Sequence, residues 1–159
     1  PPRSTLFPYT TLFRSTYNNI EEYIKDKKLE FIYINPAYYI QFREKYGLTQ
    51  LVTIVYHRGI YKHYLFGSVL FAKHKFNINN FNDLKGKRLI VTSPYSFGGW
   101  LMVLYEMNKK KFDPFKECRS IIFSNNHDSV MAAINREDVE AGVVRTGILE
   151  EYQIGRAHV

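Results

Sequence analysis

The segment KRLIVTSPYSFGGWLMVLY, Lys87 to Tyr105, constrains this chain most. A short apolar run, Leu89 to Val91, breaks at Thr92, Ser93 and Pro94. Ser96, Gly98 and Gly99 follow, and an apolar helical stretch opens at Trp100. Strand, small polar turn, helix is the arrangement that points free backbone N–H groups at an anion. Glycine lets the backbone approach a ligand oxygen closely, whereas turn and cap chemistry alone needs only Ser96. The pattern recurs in looser form: Ile121 to Phe123 runs into SNNHD, Ser124 to Asp128, and a second helix. Two such turns side by side grip one oxyanion between two helix N-termini. That points to ligand binding rather than to a reaction.

Both ends of the chain look foreign to it. Residues 1 to 15, PPRSTLFPYTTLFRS, resemble a translated sequencing adapter, and IGRAHV, Ile154 to Val159, resembles the start of the opposite adapter. Segments of that kind are set aside in fold reasoning, here 1–15 and 153–159. The expected protein is an internal piece with a partial first lobe, 16–76, and a second lobe, 77–152. Arg3, Arg14 and Arg156 lie in the excluded ends, which hold no Asp or Glu, so the charge excess falls from +7 to +4. That is an ordinary surface and gives no nucleic-acid signature. The lysine runs 25–28 and 109–111 sit at expected helix ends, where cations favour the helix dipole.

No run of 18 apolar residues is present, so no transmembrane helix is expected within this stretch. Cys118 alone supports no disulfide framework and reads as a small buried hydrophobe beside a helix. The histidines are too scattered to make a metal site. No nucleophile elbow, phosphate-binding Walker loop or paired helical histidines appear, so neither catalysis nor a cofactor is expected.

The pattern along the chain alternates. Asn19 with Glu22 resembles a capping box for a helix over 20–28. LEFIYI, Leu29 to Ile34, reads as a strand. Asn35 and Pro36 open a second helix that stops at Gly47. Leu51 to Tyr56 reads as a strand, and Tyr64 to Lys73 as a longer one. The Asn-rich stretch 77–82 marks a boundary. Beyond it come a short helix or turn near Gly86, strand 89–91, helix 100–109, a turn at Asp113–Pro114, strand 120–123, helix 128–137 and strand 141–144. Alternating strands and helices imply an α/β fold with a mostly parallel sheet.

Several side chains stand where ligand chemistry is expected. His127 precedes a helix and is a natural adjustable donor. Asp128 reads as the cap of that helix. Arg145 follows the strand AGVV, where a guanidinium offers a bidentate grip on an oxyanion or, equally, a salt bridge between lobes. Thr146 adds a hydroxyl. Tyr38, Tyr64 and Phe66 are candidates for a cleft wall, although core packing suits any one of them. The basic and aromatic cluster Tyr56 to His63 reads as a solvated hairpin.

From Phe31 to Tyr152 the chain resembles the type II periplasmic binding proteins, in their phosphonate-binding branch. The resemblance rests on the Asn35–Pro36 step with its aromatic helix, FGSVLFAK, NNFNDLKGKRL, SPYSFGGW, HDSVMAAI and VEAGVVRTGILEEY, in that order. It implies two α/β lobes closing on a small oxyanion outside the cytoplasm. It also implies Ser96, Gly98, Gly99, His127, Arg145, Thr146 and Tyr64 as ligand contacts. Phosphonate transporters usually carry Ser-Thr-Ser-Gly where this chain has Ser96, Phe97, Gly98 and Gly99. SFGGW and VRTGILEE are closer to sensory domains of histidine kinases, of which the tetrathionate sensor is one. The implied partner is an ABC permease or a fused transmembrane kinase region. The alternative is an enzyme built on the same two-lobed fold.

Overall fold

The computed structural model describes residues 17–53, 55–58, 61–63 and 67–156. Helix α1 (Tyr17–Lys25) begins ahead of the expected start, so Asn19 lies inside the helix and caps nothing. Helix α2 (Pro36–Tyr46) is fixed at both ends as its sequence dictates. Asn35 Oδ1 accepts from the N–H groups of Ala37 and Tyr38 at 2.9 and 3.1 Å. Gly47 closes the other end at φ 70°, its N–H donating to the Arg43 carbonyl. Tyr38, Phe42 and Tyr46 recur every four residues and form a ladder of rings with centroids 5.5 and 6.0 Å apart. The Tyr46 hydroxyl donates to Glu21 of α1 at 2.8 Å, tying the two helices together.

Two expected strands are not seen among the described residues, apart from Tyr56 at the end of the second. LEFIYI is irregular, with Phe31 and Tyr33 71% and 74% exposed. Residues 51–53 and 55 are irregular as well, and Leu51 and Val52 stand in solvent. β-propensity describes how well a side chain suits a pleated surface, and the backbone still needs a neighbouring strand to bond to. The described residues supply none for either run. Pairing starts at β1 (Tyr56–Arg58), which meets β2 (Tyr61–His63) in a tight antiparallel hairpin. The expected long strand is seen as β3 (Ser68–Ala72); residues 64–66, and with them Tyr64 and Phe66, lie outside the described part.

The remaining chain builds a four-stranded sheet. Its members are β3, β4 (Arg88–Val91), β5 (Ser120–Phe123) and β6 (Ala141–Arg145), in the order β3-β6-β4-β5. β4 is parallel to β5 and β6, while β3 runs antiparallel to β6. The sequence gives β4 and β6 almost no polar residues because both faces are covered. On one face Leu89, Val91, Ala141 and Val143 meet Trp100, Val103 and Met107. Trp100 belongs to a π-helical turn, Phe97–Leu101, that merges into α3 (Met102–Lys109). On the other face Ile90 and Val144 meet Val130, Met131 and Ile134 of α5 (His127–Arg136). Gly142 lets α5 lie close, since a Cβ there would stand 2.9 Å from Val130 Cγ1. A short helix α4 (Pro114–Glu117), capped by Asp113, precedes β5, and α6 (Ile148–Arg156) follows β6. Cys118, half-buried against the first core, has its thiol pushed up to about 11 by burial and so stays an inert apolar filler.

The asparagine-rich stretch joins β3 to β4 within this one sheet. Asn80 and Asp83 form a capping box for the 3-10 turn Phe81–Leu84. The sheet thus begins at Ser68, upstream of the composition shift at 77. Among the described residues no helix is long and apolar enough to cross a membrane.

Candidate functional site

The connection β4–α3–β5 steps one way along the sheet, and β5–α5–β6 then steps back past β4 to its other side, because β5 and β6 flank β4. Open α/β sheets bind ligands at the carboxyl ends of their strands beside such a reversal. Three loops gather there. They follow Val91, Phe123 and Arg145.

The first loop carries Thr92 to Gly99. Ser96 caps the wide turn, its Oγ accepting from the Gly99 N–H at 3.1 Å. The first helical bond runs from the Leu101 N–H to the Ser96 carbonyl at 2.9 Å, one residue longer than an α-turn. Gly98 precedes that bond, and its N–H has no hydrogen-bond partner among the described residues. Gly99 is spent on packing and on the cap. A Cβ at this position would stand 2.0 Å from Thr92 Oγ1 and 2.7 Å from Ser96 Oγ. Replacing Gly99 with alanine is therefore expected to cost roughly 1–3 kcal/mol of stability, as overpacking does. Removing the Thr92 side chain in the same protein should recover much of that loss. Thermal melts of the two single variants and the double variant decide it. A Gly99→Ala protein as stable as wild type would mean that the turn has slack.

The second loop lies against the first. The N–H groups of Ser124 and Asn125 donate to the Val91 and Thr92 carbonyls at 2.9 and 2.7 Å. Asn126 caps α5, accepting from the Ser129 N–H at 2.7 Å. That corrects the expected role of Asp128, which lies in the first turn with its carboxylate favoured by the helix dipole. The helix accordingly opens at His127. His127 is half-buried, and its Nδ1 is buried without a partner among the described residues. Burial, and next the Arg145 guanidinium, hold its pKa below the usual histidine value against the opposing pull of Asp128 and Glu151. That shift favours the neutral imidazole near pH 7, with the Arg145 charge on the third loop opposing protonation on the second.

The third loop begins with Arg145, opposite Ser68 in the sheet. The Ser68 hydroxyl donates to the Gly98 carbonyl at 2.7 Å, so β3 steadies the wide turn from the side. The Thr146 hydroxyl accepts from the Gly67 N–H at 3.1 Å and keeps its proton to give. Of the two roles open to Arg145, an ion pair is present within this unit: its Nη2 stands 3.9 Å from Glu151 Oε2. Tyr64, the remaining expected contact, lies outside the described residues.

Sequence reasoning missed Thr92. Its hydroxyl is buried without a partner among the described residues, directly beneath Gly99. The signal available was a polar residue at the end of an apolar strand, facing a glycine. A cavity of about 520 Å3 exists at the other end of the sheet, beside β3, lined by Leu70, Ile78, Phe81 and Phe112 among others. Lys110 is the charged residue in its lining, and the cavity lies away from the three loops.

A family model of the phosphonate periplasmic substrate-binding proteins of ABC transporters matches residues 4–157. The chain belongs to that family. The matched span takes in most of both adapter-like ends. No curated protein matches the chain. Membership makes this a substrate-binding protein of the periplasmic kind, working outside the cytoplasm with an ABC permease rather than as an enzyme. The α/β sheet with its three convergent loops agrees with that class.

Proposed function

We propose that this substrate-binding protein takes a small oxyanion, phosphonate- or phosphate-like or a sulfur oxyanion, at the carboxyl ends of β4, β5 and β6. Ser96, Gly98, Gly99, His127, Arg145 and Thr146 are its contacts within the described residues, with Tyr64 as a further one; Gly99 contributes by the close approach that a missing side chain allows, since its N–H is taken by Ser96. The observation that carries the reading is the convergence of two capped helix starts with Arg145 and His127 on neighbouring loops. The Gly98 N–H, without a partner among the described residues, and the guanidinium are donors, and Asp128 is the acidic residue in the first turns of these two helix starts. Delivery to an ABC permease follows from the family. SFGGW and VRTGILEE favour a second output, a signal to a fused histidine kinase. A transmembrane helix and kinase domain in the full-length gene would decide for it.

Calorimetric titration of the full-length protein with phosphonate, phosphate, sulfate, thiosulfate and tetrathionate tests the reading. Binding of none of them would end it. The pH dependence tests His127 separately. An anion beside the imidazole stabilises its protonated form, so the bound-state pKa lies above the free one. The free-state value is already below 6.5. Affinity is therefore level where both states are neutral, rises as pH falls through the bound-state value, and levels again below the free-state value. Sulfate keeps its charge between about pH 5 and 8, so its affinity should climb toward the acid side. His127→Ala should flatten the profile, and an unchanged slope would remove His127 from the site.

A further inference from the structure

The amino end of α2 has no backbone donor to offer a ligand. Pro36 carries no N–H, and those of Ala37 and Tyr38 are held by Asn35 Oδ1. The Tyr39 N–H donates to the Asn35 carbonyl at 3.0 Å. The side-chain amide of Asn35 turns the other way. Its Nδ2 donates at 3.4 Å to the carbonyl oxygen of Tyr95, far along the chain on the loop after β4. At the same place the rings of Tyr38 and Tyr95 meet, centroids 5.7 Å apart and planes 46° apart. Tyr38 is 8% exposed and backed by the fully buried Phe42, so it is a firm surface; Tyr95, 58% exposed, rests on it. Tyr95 is also the residue before Ser96, whose hydroxyl caps the wide turn. The anion turn is thus held from inside by Thr92 and from outside by α2.

We propose that Asn35, Tyr38 and Tyr95 form a clasp between α2 and the anion turn. They act as positioning residues that tune affinity without touching the ligand. The proposal rests on the oxyanion reading above for its effect on binding, and on geometry alone for the clasp. A site assembled only while two parts are together has an apparent Kd equal to the intrinsic value divided by the assembled fraction. One hydrogen bond or one ring pair moves such a balance roughly three- to tenfold.

Asn35 permits a clean separation of roles. Asn35→Asp keeps the cap, because aspartate serves there as well as asparagine. It removes the amide donor and sets a carboxylate against the Tyr95 carbonyl. Tyr95→Ala removes the ring contact, whereas Tyr95→Phe preserves it. Small-angle scattering of the ligand-free full-length protein should give a larger radius of gyration for Asn35→Asp and Tyr95→Ala than for wild type, with Tyr95→Phe unchanged. Titration with inorganic phosphate and with sulfate should give Kd values roughly three- to tenfold higher for the first two variants, through faster release. Melting temperatures close to wild type for Asn35→Asp would show the cap intact. Identical scattering for all four proteins would overturn the clasp, whatever the anion. A wild type that binds neither phosphate nor sulfate leaves the scattering comparison as the whole test, and its own failure would fall on the oxyanion reading instead.

Discussion

Replacing Arg145 with alanine is expected to weaken binding of the proposed oxyanion by about 2–5 kcal/mol, the range for truncating one member of a desolvated charge pair. The guanidinium stands half-buried at the end of β6, close enough to His127 to oppose its protonation and loosely paired with Glu151. It is the strongest fixed positive charge among the candidate contacts, since His127 favours its neutral form near pH 7 and the helix ends offer only partial charges. Arg145→Lys should fall between alanine and wild type, because lysine keeps the charge and loses the fork. Titration with the same anions measures all three proteins. If Arg145→Ala binds each anion as wild type does, Arg145 is a structural residue, its ion pair with Glu151 included, and not a ligand contact.

Trp100→Ala should cost about 3–5 kcal/mol of stability, a large share of what a domain possesses. The indole is 2% exposed and meets Phe115 and Phe123 edge-on at 5.9 and 6.2 Å. Beneath it lie Leu89, Val91 and Val143, so its loss opens the centre of one core rather than its margin. At about 2–4 °C per kcal/mol, the melting temperature should drop by roughly 6–20 °C. Phe123→Ala, at the half-exposed rim, should cost much less. Equal melts for the two variants would contradict the description of Trp100 as the centre of that core.

The parallel half of the fold was legible because burial on both faces leaves an uninterrupted apolar run. Ser120–Phe123 matched its expected bounds, and β4 and β6 each matched with one residue added at an end. α2 was equally plain, since Asn35, Pro36 and Gly47 are each dictated by an orphaned helix-end group or a left-handed φ. LEFIYI and the run from Leu51 to Thr53 misled because their composition suits a sheet that the described residues do not provide. At the site, the sequence displayed glycines and side-chain types but not who bonds to whom. Ser96 and Gly99 prove to serve each other, and Asn126 takes the cap assigned to Asp128. The Asn35–Tyr95 contact joins positions too far apart in the chain for any local pattern to reveal.

The π-helical turn at Phe97–Leu101 has a consequence for how this region tolerates change in length. A π-turn holds one residue more than an α-turn, and each residue rotates a helix by about 100°. Deleting one residue between Ser96 and Leu101 would let the wide turn close to an ordinary α-turn, and Val103 and Met107 could keep their places in the core. What would go is the extra residue that the turn holds out after β4, and with it the spacing of Ser96, Gly98 and Gly99. A single deletion here should therefore spare the fold and fall on the site, whereas a deletion later in α3 should turn core side chains toward solvent.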